Sequence, residues 1–354
     1  MTKGVDFFTA ESFGVNVPPK CRQCKGCKDC KWLSQHLSRV EQRELEVMRN
    51  NLQLNPVTNK WETEYPYKVD PEILSRDGDN RDQAVGMMIK TENRLGKDLE
   101  AAKLYCEQFR DTVSRGVFRL VSRVELSKYK GARRYISHHE VFKEDSASTP
   151  IRLVLNTSLR YKGLSLNDIL MKGPNALNNL FKVQLKFRSY IVALVCDLKK
   201  MYQSINTTIT ERYLRLVVWR DMDTTREPDT YGTETVTFGD KPAAAISAIA
   251  LRETAELYKH INEEAAAKIK DDMYVDDIAT GAANMEGVQR LKEGIKEILA
   301  KGGFQVKGFV TSGDVVEDII AMLGTGEMGR ILGIGWNPLQ TVSSSKCVSI
   351  YQGR

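Results

Sequence analysis

One apolar run in the chain ends directly on an acid. Residues 190–196 read YIVALVC, and Asp197 follows them. A short, uninterrupted run of β-branched and aliphatic residues is typical of a buried strand. Because an isolated charge is costly to bury, we expect this strand to end at a sheet edge, where Asp197 faces solvent or a metal site.

A second acidic feature lies in the sequence MYVDDIAT, at 273–280. Residues that favour β-structure flank Asp276 and Asp277, which predicts two strands joined by a tight acidic turn. Neighbouring side chains on a strand diverge, so this pair alone is a poor chelate for one ion. If the strand that ends at Asp197 lies beside the turn, the three carboxylates converge.

Converging carboxylates are suited to phosphoryl transfer. The entering and leaving oxygens are both anionic in that transition state, and two Mg²⁺ ions roughly 3.5 to 4 Å apart stabilise both of them. Asp197 and Asp276 are the stronger candidates for direct coordination, with Asp277 in support. The alternative is that the acid pair is a solvated hairpin turn and that Asp197 caps a turn or a helix.

The remaining pattern predicts an α+β fold. Residues 36–130 are mainly helical, and a capping box of Ser38 and Glu41 opens their first helix. From about residue 131 short strands alternate with longer helices, including an Ala-rich helix predicted over 242–268. The order strand, helix, hairpin, helix, strand favours an antiparallel sheet with helices on one face.

Two shorter segments carry local predictions. Residues 61–67, WETEYPY, alternate in polarity and contain Pro66, which predicts a short edge strand or extended segment. His138 and His139 have no Cys or His partners at metal-ligand spacing, so we expect them to be loop residues.

Composition limits the class of protein. The chain has 354 residues, enough for about two domains, and its net charge of +6 permits a polyanionic partner without requiring one. No run approaches the ~18 apolar residues of a membrane span, and the first residues lack secretory-signal features. We therefore expect a soluble, intracellular and cytoplasmic protein. Seven unevenly spread cysteines argue against a disulfide scaffold.

The acidic turn belongs to an ordered series of motifs that resembles the reverse transcriptase region of Pao/BEL-type LTR retrotransposon polyproteins. The series covers about 131–340. Its members are ISHHEVFKEDSASTPIRLVLNTS (136–158), GLSLNDILMKGP (163–174), FR (187–188), ALVCDLKKMYQSI (193–205), FGDKPAAAISAIALRETA (238–255), YVDD (274–277), GGFQVKGF (302–309) and LGIGW (332–336).

The resemblance implies a right-hand polymerase fold. Fingers and palm would occupy 131–310, and a palm tail with a primer-grip-like segment and the start of a thumb would occupy 311–354. A helical extension over 36–130 and a Cys-rich segment over 1–35 would precede them. No RNase H domain is expected to fit after LGIGW.

The implied activity is that of an RNA-directed DNA polymerase. Such an enzyme uses two Mg²⁺ ions to add dNMPs to a primer 3′ end on an RNA or DNA template, and it releases pyrophosphate. The substrates would be dNTPs. A catalytically inactive, domesticated nucleic-acid-binding remnant of such a polymerase is the alternative.

The resemblance also implies site residues. Asp197, Asp276 and Asp277 fall on the metal-binding acids. The positions implied at the incoming nucleotide are Arg152, Tyr202, Phe238, Gly239 and Lys307, and those implied at the primer are Tyr274, Gly333 and Trp336.

The resemblance implies a specific role for three of these positions. Arg152 would contact the triphosphate, and the Tyr202 ring would exclude a 2′-hydroxyl. Lys307 would protonate pyrophosphate, with Lys301 as a second candidate, and Trp336 could equally be core. Two departures from the family pattern are Asn156, where many reverse transcriptases have Asp, and an early Pro242.

A cysteine array lies near the start of the chain. Cys21, Cys24, Cys27 and Cys30 are each separated by two residues. Four thiolates favour structural Zn²⁺, while the compact spacing leaves an iron–sulfur cluster and an unmetallated basic tail as alternatives. Interleaved lysines would allow contact with RNA phosphates. A zinc-dependent interaction module is therefore a further alternative.

Overall fold

The protein is described by a computed structural model over residues 37–76, 78–142, 151–312, 329–332, 334–336 and 350–351. Cys21, Cys24, Cys27, Cys30 and Gly333 lie outside the described residues. The predictions made for them therefore stay predictions.

Helices are distributed along the whole described chain, and none of those in the described ranges is long and apolar enough to cross a bilayer. They are α1 (Arg39–Asn51), α2 (Arg81–Leu95), α3 (Leu99–Ser114), α4 (Arg123–Lys128), α5 (Leu166–Ile169), α6 (Leu180–Ser189), α7 (Ile209–Tyr213), α8 (Ala243–Leu257), α9 (Glu263–Asp271) and α10 (Met285–Lys301). Two 3₁₀ turns lie at Pro71–Ser75 and Met201–Ser204.

The strands are short and belong to several small sheets. They are β1 (Leu52–Asn55), β2 (Lys60–Thr63), β3 (Phe118–Leu120), β4 (Ser137–Phe142), β5 (Ile151–Asn156), β6 (Val192–Lys199), β7 (Asn206–Thr207), β8 (Leu216–Trp219), β9 (Asp229–Thr233), β10 (Met273–Tyr274), β11 (Asp277–Ala282), β12 (Gln305–Thr311), β13 (Gly329–Ile331), β14 (Ile334–Trp336) and β15 (Ile350–Tyr351). The chain is thus α+β, as predicted.

The sheet that carries the acids has four antiparallel strands in the order β10-β11-β6-β12. Its central strand, β6, is the apolar run recognised in the sequence. Leu194 and Cys196 of β6 pack in the large core with Ile278 and α10, while Val195 packs with Phe187 of α6. Helices therefore cover both faces, not one as predicted, which explains why the apolar run is continuous rather than alternating.

The residues before 131 complete sheets with strands from later in the chain. β2 pairs in parallel with β7, and β3 pairs with β9. Of the two alternatives predicted for 61–67, the edge strand is wrong, because β2 lies between β1 and β7. Trp61 of β2 is buried, and its indole N–H donates to Thr254 Oγ1 at 2.8 Å.

The capping box at the start of α1 is confirmed. The Glu41 N–H donates to Ser38 Oγ at 3.2 Å, and the Ser38 N–H donates to Glu41 Oε2 at 2.8 Å. These bonds satisfy backbone donors that a helix start leaves unpaired.

The single helix predicted over 242–268 is wrong. Two helices, α8 and α9, replace it, and the break lies between Leu257 and Glu263. Asn262 begins α9 by accepting the Ala265 N–H at 2.9 Å. The break allows α9 to contact both α8 and α10.

His138 and His139 both lie in β4, not in a loop as the sequence suggested. His138 is buried inside an aromatic cluster. The Tyr105 hydroxyl donates to Nδ1 at 2.5 Å, and Nε2–H donates to the Val218 carbonyl at 2.9 Å. The Trp219 ring lies edge-on at 5.3 Å between centroids. Burial lowers the pKa of His138 to about 4, so the ring is neutral at physiological pH.

This buried histidine should make the fold acid-sensitive. The unfolded chain binds a proton near the ordinary pKa of 6.5, whereas the folded chain does so only near 4. The free energy of unfolding should therefore fall by about 2 kcal/mol between about pH 7 and about pH 5. Urea unfolding at the two pH values measures this change.

His138→Gln is the test variant, and it should lose this share of the pH dependence. The matched control is His260→Gln, at an exposed position after α8, which should keep the wild-type slope. Equal slopes for the wild-type protein and His138→Gln would contradict the assignment.

Candidate active site

Asp197 and Asp277 lie directly opposite each other across the β6–β11 pair. Opposed residues of antiparallel strands point to the same face, with Cα atoms roughly 4.5 to 5.5 Å apart. Asp197 is near the end of β6 and is partly exposed. The two carboxylates thus start side by side from one face of the sheet, at the end of the β6–β11 pair.

Asp276 lies in the two-residue turn that joins β10 to β11. Tyr274 pairs with Asp277, which leaves Val275 and Asp276 in the turn. Val275 has φ 57°, an uncommon conformation for a β-branched residue. The Leu198 N–H donates to the Asp276 carbonyl at 3.0 Å and so joins the turn to β6.

The crowding of negative charge changes the acidity of the site. Desolvation raises the pKa of Asp277 to about 7, and the charges of Asp276 and Asp197 add to that increase. Asp276 reaches solvent, yet partial desolvation by the surrounding protein and the charge of Asp197 also raise its pKa. The three acids are therefore close enough to repel one another, which favours binding of a cation between them.

Lys307 lies beside Asp197 because β12 contains a bulge. The register shifts between Val306 and Gly308, so Gly308 rather than Lys307 pairs with Asp197. The Lys307 Nζ donates to Asp197 Oδ2 at 2.9 Å. Its positive charge partly offsets the increase in pKa of Asp276 and Asp277.

The chemistry of the donors suits a hard divalent ion, since three carboxylates of the kind that Mg²⁺ prefers lie together. Within the described ranges, however, no group of three or more His, Cys, Asp or Glu side chains is arranged to hold an ion. The Lys307 ammonium is bonded to one oxygen of Asp197. An ion that used this oxygen would require Lys307 to move.

Arg152 lies in β5 and faces the acids. Its side chain is exposed, and its positive charge lowers the pKa of Asp276 against the larger effect of desolvation. β5 pairs only with β4 among the described strands, and Arg152 is opposite Val141. The two-stranded ribbon therefore places the Arg152 cation where its charge acts on Asp276.

Tyr202 lies in the 3₁₀ turn that follows β6. Lys200, with φ 50°, reverses the chain direction before this turn. Burial raises the pKa of Tyr202, and the negative charge of Asp276 raises it further. The exposed Phe238 ring meets the Tyr202 ring edge to face, with 4.5 Å between centroids. Tyr202 also lines a partly enclosed apolar pocket, together with Val275 and Met273 of the hairpin.

Gly239 brings the Phe238 loop into contact with β5. Its φ is +103°, and a Cβ at this position would lie 2.3 Å from the Leu155 carbonyl oxygen. Asn167 Nδ2 donates to the Gly239 carbonyl at 2.9 Å, and Thr157 Oγ1 donates to it as well. The close approach made by Gly239 is thus to the protein's own backbone.

The residues expected at the primer lie in two different environments, one partly exposed and one buried. Tyr274 is partly exposed and lies in the hairpin opposite Asp277. The primer-contact prediction for Trp336 needs correction, because its ring is fully buried and packs edge-on to Phe187 at 5.4 Å. A buried ring in the core beneath the sheet cannot contact a primer directly.

Sequence reasoning missed a buried ion pair behind the site, between Arg215 and Asp240 at 3.1 Å. Asp240 directly follows Phe238 and Gly239, which was a local signal. Its partner lies 25 positions earlier, directly before β8, and nothing in the sequence connects the two.

No known protein family matches the sequence, and neither does any curated protein. Among solved structures, the chain is similar to foamy viral protease-reverse transcriptase in complex with an RNA/DNA hybrid, with TM-score 0.42 and 15% identity over 65% of this chain and 25% of that chain. A foamy viral protease-reverse transcriptase complex with double-stranded DNA has TM-score 0.45 and 12% identity over 85% and 46%. The chain spans between a quarter and a half of the length of these two proteins.

Replacing Gly239 by Ala should destabilise the loop that carries Phe238. A Cβ there combines an unfavourable φ with a clash against Leu155, and we expect a loss of about 3 kcal/mol or more in the free energy of unfolding. Gly163→Ala is the matched control, because Gly163 also has positive φ, +90°, but nothing lies within 4 Å of the added Cβ. Urea unfolding compares the two, and equal losses would contradict the clash.

Proposed function

We propose that this chain is an RNA-directed DNA polymerase that adds dNMPs to a primer 3′ end and releases pyrophosphate. The observation that carries the proposal is that Asp197 and Asp277 face each other at the end of the β6–β11 pair, with Asp276 in the adjoining turn. A solvated turn would not require a third acid in register with it. A metal-dependent phosphoryl-transfer site does.

The acids would hold the metal ions in this reaction, with Asp197 and Asp276 as direct ligands and Asp277 in support. Two bound Mg²⁺ ions supply stabilisation of the negative charge on the entering and leaving oxygens. The primer 3′ oxygen forms a bond to the α-phosphorus, and the bond from that phosphorus to the bridging oxygen of the β-phosphate breaks. The hydroxyl proton passes to solvent, and pyrophosphate leaves.

The residues around the acids suit a deoxynucleoside triphosphate. Arg152 presents a planar, permanently charged guanidinium that matches phosphate oxygens. The rings of Tyr202 and Phe238 form an apolar wall beside Asp276, where a sugar would lie. Lys307 donates to Asp197, one of the proposed metal ligands, and therefore lies at the site where pyrophosphate would leave. Its ammonium would serve there as a cation beside the leaving group.

Finer assignments are part of the same proposal. They include a Pao/BEL-type retroelement origin, a right-hand arrangement of fingers, palm and partial thumb, and an RNA or DNA template with its primer as partner. Zinc at Cys21, Cys24, Cys27 and Cys30 is proposed from their spacing alone.

One observation favours a second candidate, a nucleic-acid-binding remnant without catalysis. The Lys307–Asp197 ion pair neutralises one acid without any metal. Primer extension with Mg²⁺ separates the two candidates, because robust synthesis by the wild-type chain excludes the inactive remnant.

Asp276→Asn should abolish primer extension while leaving template binding nearly intact. The amide removes a charged metal ligand, so we expect the extension rate to fall by roughly three orders of magnitude. Extension of a labelled primer and fluorescence anisotropy of a labelled hybrid measure the two properties.

The control for this experiment is Asp223→Asn, an identical change at an exposed acid in the β8–β9 connection. It should extend primers at the wild-type rate. Wild-type extension by Asp276→Asn would refute the assignment of the acid cluster.

Tyr202→Ala should admit ribonucleotides. Removal of the ring opens volume beside the sugar, and we expect discrimination between dNTP and rNTP, measured as the ratio of kcat/KM values, to fall about tenfold or more. Tyr202→Phe keeps the ring and should keep the discrimination. If both variants discriminate as the wild type does, Tyr202 is not the residue that selects the sugar.

A further inference from the structure

A buried ion pair lies directly behind the loop tip formed by Phe238 and Gly239. Arg215 is 0% exposed, and the Asp240 side chain is also fully buried. Burial of two charges carries a desolvation cost that their attraction offsets only when further hydrogen bonds complete the arrangement. The hydrogen bonds around this ion pair therefore show which parts of the chain it connects.

Three donors converge on one oxygen, Asp240 Oδ2. They are the Tyr65 hydroxyl at 2.5 Å, Thr237 Oγ1 at 3.0 Å and Arg215 Nη1 at 3.1 Å. Arg215 is itself fixed, because Nη2 donates to Thr207 Oγ1 at 2.7 Å and the guanidinium lies 4.4 Å from the centroid of the Tyr65 ring. Tyr65 thus contacts both members of the ion pair.

Asp240 is the last residue of a tight turn whose tip is exposed. Its N–H donates to the Thr237 carbonyl at 3.4 Å, which places Phe238 and Gly239 at the two central positions. The positive φ of Gly239 suits the second of these positions. Because the carboxylate is held in the interior, the turn has one orientation, and the Phe238 ring is directed at Tyr202.

We propose that Tyr65 and Arg215 are positioning residues for the nucleotide-binding face. They act through Asp240 and hold the Phe238 ring against Tyr202. Tyr65 belongs to the segment before residue 131, so that segment contributes directly to the position of the Phe238 loop. The kinetic consequence of this inference rests on the proposed function, whereas the positioning of the loop does not.

Tyr65→Phe is the test, because it removes the hydroxyl and leaves the ring over the guanidinium. Asp240 then loses one of its three donors. Hydrogen exchange should show about tenfold less protection of the amides of Asp240 and Lys241, since a hydrogen bond to a charged group is lost. KM for dNTP should rise about tenfold with kcat nearly unchanged, as expected when a contact equal in ground and transition states weakens.

Two further variants make the test specific. Thr237→Val removes another donor to the same oxygen and should have the same effects, even if one of the two variants folds poorly. Tyr67→Phe is the matched control, because its hydroxyl donates to buried Glu211 at 2.6 Å in the same region. It should leave both the exchange of the loop amides and KM unchanged.

The outcomes are separable. Unchanged protection of the loop amides in Tyr65→Phe would overturn the inference, and so would equal effects of Tyr65→Phe and Tyr67→Phe, which would indicate a purely structural role. If the wild-type chain does not extend primers, the proposed function fails, and hydrogen exchange alone decides whether Tyr65 positions the loop.

Discussion

The register of one strand pair determines everything else at this site. Asp197 faces Asp277 only because β6 and β11 align from Val192 with Ala282 onward, and a slip of one residue would turn Asp277 to the other face. The buried residues fix this alignment, since each face of β6 packs into a different apolar cluster. The packing of the core thus specifies the position of the charges.

Placing three carboxylates side by side is electrostatically unfavourable. Desolvation, together with the neighbouring like charges, raises the pKa of Asp276 and Asp277, and cations on two sides partly offset that rise. Lys307 reaches Asp197 through a bulge, which is a local departure from regular pairing, and Arg152 approaches from a separate ribbon.

The acids were predictable from sequence because the signals are local: an apolar strand that stops at Asp197 and a β-rich segment around an acidic pair. What failed depended on tertiary contacts. An Ala-rich sequence does not reveal that Asn262 starts a new helix, and an LGIGW motif does not reveal that Trp336 is covered by Phe187. The Arg215–Asp240 ion pair could not be predicted, because the sequence around an arginine does not show whether its side chain is buried or exposed.

The pairing of β2 with β7 and of β3 with β9 also bears on how the chain can be divided. A fragment trimmed to 131–310 would lose β2 and β3, and β9 would become an unprotected sheet margin. Unpaired backbone of this kind recruits other chains and promotes self-association. The trimmed piece would also leave Arg215 without the Tyr65 ring above it. The smallest autonomous unit is therefore larger than the motif series alone suggests.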